Sequence, residues 1–69
     1  MPSEYIYLLS ISVADKLEKP TKEVFSISVF SEKPISVQGI LDNFLKMKNI
    51  KDETSYYGID SIKIFHQEL

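Results

Sequence analysis

The period of the apolar residues changes once along this chain, and that change restricts the folds open to it. Over 4–13 every odd position is apolar, Tyr5, Tyr7, Leu9, Ile11 and Val13, while the even positions pass from Ile6 and Leu8 to Ser10 and Ser12. Alternation of this kind sends successive side chains to opposite faces of a sheet. The same period returns over 23–30, with Phe25, Ile27 and Val29 on one face and Val24, Ser26, Ser28 and Phe30 on the other. After Pro34 the spacing lengthens: Val37, Ile40, Leu41, Phe44 and Leu45 recur every three or four residues and trace the apolar stripe of a helix. A third strand is predicted over 59–66, with Ile62 and Ile64 on one face and Ile59, Ser61, Lys63 and Phe65 on the other.

The residues between these segments are those that end regular structure. The charged stretch 14–22 carries Pro20, which has no backbone N–H and disfavours helix at the residue before it, so it reads as a long hairpin loop. Ser36 is placed to cap the helix N-terminus, and Ile35 to staple onto Ile40. Asn49 suits the left-handed position after the helix, with Ile50 folding back on Leu45. Tyr56 and Tyr57 fall in a polar connection closed by Gly58.

The fold predicted is one small α+β domain over 1–69, with element order β-β-α-β. Its sheet is three-stranded, antiparallel or mixed, in order 2-1-3, and the amphipathic helix covers one face. A crossover through the helix makes strand three parallel to strand two, and the most apolar strand, the first, belongs between them. The tetrapeptide "SISV" occurs at 10–13 and again at 26–29. Both copies answer one constraint, isoleucine and valine toward the helix and serines away.

A 69-residue chain sits near the lower size limit for independent folding, because it buries only about 60% of the surface its unfolded chain exposes. Chains of this size commonly add a disulfide, a metal or a second subunit. Here there is no cysteine and only one histidine, His66, so neither a disulfide nor a thiolate or typical zinc site is expected. Self-association is the staple that remains, and a homodimer is expected.

Several function classes are discounted on chemical grounds. Glycine occurs only at positions 39 and 58, so no glycine-rich loop cradles phosphates. His66 lies on a strand end without a serine elbow motif or an obvious orienting acid, so no catalytic residue is assigned. No enzyme activity, cofactor or metal is expected. The opening stretch carries Glu4, lacks a basic n-region and interrupts its apolar run with serines, so it reads as neither a leader nor a membrane span; a cytoplasmic, intracellular location is expected.

The reading that remains is a small non-enzymatic module that binds a protein partner and modulates or inhibits it. Ile6, Leu8, Ser10, Ser12, Ser26, Ser28, Phe30 and Phe65 share the strand face turned away from the helix, a serine centre with an apolar rim, and form the expected dimer interface. Tyr56 and Tyr57, with Gln38, Asp42, Asn43 and Lys46 on the polar helix face, are the expected partner-binding residues. All eight basic residues are lysine and Ile and Ser occur nine times each, a bias of AT-rich coding that suits accessory proteins of phages or mobile elements. The alternative is a nucleic-acid-binding or transcription-regulatory protein using Lys16, Lys19, Lys22, Lys46, Lys48 and Lys51. A net charge of −2 and the absence of arginine weigh against it.

Overall fold

The computed structural model describes residues 3–17 and 22–69. It contains β1 (Ser3–Asp15), β2 (Lys22–Ser31), α1 (Val37–Met47) and β3 (Ser55–Glu68). The sheet has the order β2-β1-β3, and β1 is antiparallel to both neighbours. The α+β arrangement expected from the periodicities is the one observed, with an all-antiparallel sheet. The loop containing Glu18, Lys19, Pro20 and Thr21 lies outside the described residues.

β1 is central because its inward positions are the most apolar of the three strands. Tyr7, Leu9 and Ile11 are buried there, against Ile40, Leu41 and Phe44 of the helix. Phe25 of β2 meets Phe44 edge-on at 5.2 Å between ring centres. The Tyr7 hydroxyl accepts from the Ile35 N–H at 2.9 Å, which fastens the segment before α1 to the centre of the sheet.

Both helix ends are closed as expected. The Ser36 hydroxyl accepts from the Gly39 N–H at 3.2 Å. At the other end Asn49 has φ 55°, and the Ile50 N–H reaches the Leu45 carbonyl at 2.9 Å while the Asn49 N–H reaches that of Lys46 at 3.2 Å. This pair of bonds is a Schellman closure, and it turns the chain back toward β3.

Two expectations about the third strand need correction. β3 begins at Ser55, four residues before the predicted start, so Tyr56 and Tyr57 are strand residues and not loop residues. A bulge also interrupts its pairing with β1: Ser10 faces Ser61, but Ile11 faces Ile59. The extra residue, Asp60, shifts the alternation by one position. Ile59, expected on the outer face, therefore turns inward with Tyr57, and both pack against the core.

Coverage by the helix is also narrower than expected. Ile62 and Ile64 lie on the inner face but remain 45% and 53% exposed. They pair directly with Leu9 and Tyr7, which are buried, so the shortfall lies across the sheet: a single helix covers the centre and leaves this part of the edge strand β3 open. The molecule is a ribbon of 50 × 17 × 13 Å, with a radius of gyration of 14.1 Å. A compact chain of this length would have a radius near 11 Å.

Candidate interaction surfaces

The strand register arranges the outer face in rows that cross the sheet from β2 through β1 to β3. The first row is Phe30, Ile6 and Phe65, and the second is Ser28, Leu8 and Lys63. The third is Ser26, Ser10 and Ser61, three serines side by side. The fourth is Val24, Ser12 and Gly58, and the fifth Lys22, Ala14 and Tyr56. All eight residues expected at the dimer interface share this face.

The face is uneven, with Val24 and Tyr56 exposed in the later rows. Phe30 and Phe65 stand out at the first row, 62% and 51% exposed. The serine row floors a shallow depression of about 310 Å³, flanked by Leu8 and Lys63. A second depression, about 180 Å³, lies over Ser12, Ala14 and Gly58 and is walled by Lys22, Tyr56 and Asp60. Asp60 is held on this side by a hydrogen bond from the Ser12 hydroxyl.

The bulge also separates the two tyrosines. Tyr56 joins the outer face, where the Lys16 ammonium lies 4.8 Å from its ring centre. Tyr57 turns inward, and its hydroxyl donates to the Asp52 carboxylate. That bond holds the Tyr57 phenol above its ordinary pKa, with desolvation and the negative charges of Asp52 and Asp42 acting in the same direction.

The helix residues expected at the partner site divide similarly. Gln38 donates to Asp42 at 2.9 Å, one helical turn away, and Lys46 continues that exposed stripe. Asn43 instead lies toward β2 and donates to the Met47 sulfur at 3.6 Å. Together with Phe25, Ile27, Val29, Ile40 and Phe44 they line a groove of about 410 Å³ between α1 and the free edge of β2. The Lys48 ammonium caps one end, 5.5 Å from the Phe25 ring centre. The sequence reading missed this groove because its walls look like ordinary core positions; only the helix placement leaves them open.

The lysines of the alternative reading do not share one face. Lys16 reaches the Asp52 carbonyl oxygen, Lys22 lies at the outer face, and Lys48 covers Phe25 on the inner one. Lys46 and Lys51 are exposed near the helix end, and Lys19 lies outside the described residues. His66 stacks on Tyr5 at 4.2 Å between ring centres. Among the described residues no helix is long and apolar enough to cross a membrane. No protein-family model, curated protein or solved structure matches this chain.

Proposed function

We propose that this chain is a non-enzymatic protein–protein interaction module that works as a homodimer and binds a protein partner, modulating or inhibiting it. One observation carries the reading, the apolar surface left open on both sides of the sheet. The accessible surface is 5252 Å², whereas a folded monomer of 8.0 kDa exposes about 4,450 Å². The excess, about 800 Å², goes with the ribbon shape, which leaves large apolar side chains such as Phe30, Met47, Tyr56 and Ile64 open.

The groove between α1 and β2 suits an extended segment of the protein partner. A strand laid along the free edge of β2 would pair with its open backbone groups while alternate side chains enter among Phe25, Ile27, Phe44 and Met47. Binding of this kind needs no cofactor and can block whatever the partner's segment would otherwise contact.

The test is affinity capture from the cells of origin with the native chain and with Met47→Asp in parallel. Met47 is 75% exposed, so its replacement leaves the fold intact. The native chain is expected to retain a partner that the variant loses. Equal retention by both would remove the groove as the site, and retention of nucleic acid alone would favour the lysine reading.

A further inference from the structure

The outer face carries, on a single chain, both the projections and the sockets of an interface. We propose that two copies pack outer face to outer face about a two-fold axis lying between the sheets, perpendicular to the strands and passing over the Ser26–Ser10–Ser61 row. This rests on the homodimer reading and specifies its surface and register.

Successive rows lie about 6.8 Å apart along the strands, twice the rise per residue. Rotation about that axis therefore exchanges the rows on either side of the serines. The Leu8 row of one copy covers the Ser12 row of the other, and the Ile6 row covers the Ala14 row. Each contact occurs twice, as an isologous interface requires. Leu8 and Ile6 then enter the depression over Ser12, Ala14 and Gly58, Phe30 and Phe65 meet Lys22 and Tyr56 of the partner subunit, and the serine rows meet at the pivot.

Charge selects the same register. Lys63 sits in the second row, and Asp60 projects beside Ser12 in the fourth. The rotation brings Lys63 opposite Asp60 of the partner subunit, once on each side of the axis. An axis parallel to the strands would instead set Asp60 against Val24 of the partner subunit. That arrangement buries a carboxylate with no cation opposite it, which opposes association.

Size-exclusion chromatography with light scattering on the full chain tests the arrangement. The native chain should run at twice the 8.0 kDa chain mass. Gly58→Ile should be folded and monomeric, because a Cβ at position 58 meets nothing within 4 Å of its own chain and the backbone there has no positive φ. Isoleucine also favours a strand over glycine, and its side chain would occupy the depression that the incoming subunit enters. Lys63→Glu and Asp60→Lys should each weaken the dimer by about tenfold or more, and the double exchange should restore it to within a few-fold. A dimer indifferent to Gly58→Ile, or single exchanges that the double does not rescue, would overturn this register while leaving the homodimer standing. A native chain that stays monomeric at every concentration would overturn the homodimer reading itself, and partner capture with the Met47→Asp control would still decide the module's binding role.

Discussion

The two faces of the sheet are built from the same three strands and solve opposite problems. On the inner face every β1 position from Tyr5 to Val13 is apolar, and Tyr7, Leu9 and Ile11 are buried beneath α1. On the outer face Phe30, Ile6 and Phe65 form one end, three serines cross the middle, and Ser12, Ala14 and Gly58 form a recess beside exposed Val24 and Tyr56, so the surface is stepped and not uniformly greasy. The difference teaches that the inner face is organised for burial within one chain, where continuity of apolar contact is what counts. The outer face is organised for complementarity, which needs projections and recesses in the same surface.

Breaking the inner face should have the largest effect. Ile11 is fully buried, and Ile11→Ala removes contacts at the centre of the core, which holds six buried side chains among the described residues. A loss of about 2–5 kcal/mol is expected, comparable to the roughly 3–5 kcal/mol that a single core of this size supplies. Urea denaturation followed by circular dichroism should find the variant largely unfolded without denaturant. Leu8, three residues away and on the other face, predicts a contrasting result. Leu8→Asp should keep the native circular dichroism spectrum yet weaken self-association by about 30-fold or more, as truncating an interface anchor costs about 2 kcal/mol or more. If Leu8→Asp unfolded the chain instead, the division of labour between the faces would be wrong.

Smaller changes sharpen the comparison. Ser36→Ala removes the hydroxyl that accepts from Gly39 at the start of α1, and about 1 kcal/mol of stability should be lost. That loss should appear in the denaturation midpoint and leave the intrinsic outer-face contacts alone. The smallest effect concerns Tyr57, whose phenol is held above its ordinary pKa by its bond to Asp52. A raised pKa in the folded state means the contribution is fully present below the unfolded phenol value, about 10, and is lost as pH rises through the folded value. Thermal melts should therefore fall less steeply with alkaline pH in Tyr57→Phe than in the native chain.

Much of the helix was legible, down to its caps, because capping is local: Ser36 needs only the N–H three residues on, and Asn49 only tolerance of a left-handed backbone. The sheet order was legible from the apolar content of β1 and the crossover through α1. The bulge was not read, although its signal was present. Inward apolar residues run on odd positions at Tyr57 and Ile59 and on even positions at Ile62 and Ile64, a slip of one residue. Read as a bulge, that slip places Tyr56, Asp60 and Lys63 together on the outer face. The α1–β2 groove had no comparable signal, since Phe25, Ile27 and Phe44 have the same pattern whether covered or open.

From the periodicity, capping and composition of the sequence alone follow the places of β1, β2 and α1, the apolar side of each, and the want of any cysteine for a disulfide or thiolate metal site. Periodicity and capping act over a few residues. The tertiary structure fixed that Asp60 is the residue extruded where the alternation slips, that Ile62 and Ile64 of β3 stay open beside the helix, and which outer residues share a row. Those outcomes depend on register between strands some 50 residues apart in the chain and on where one helix lies across a three-stranded sheet.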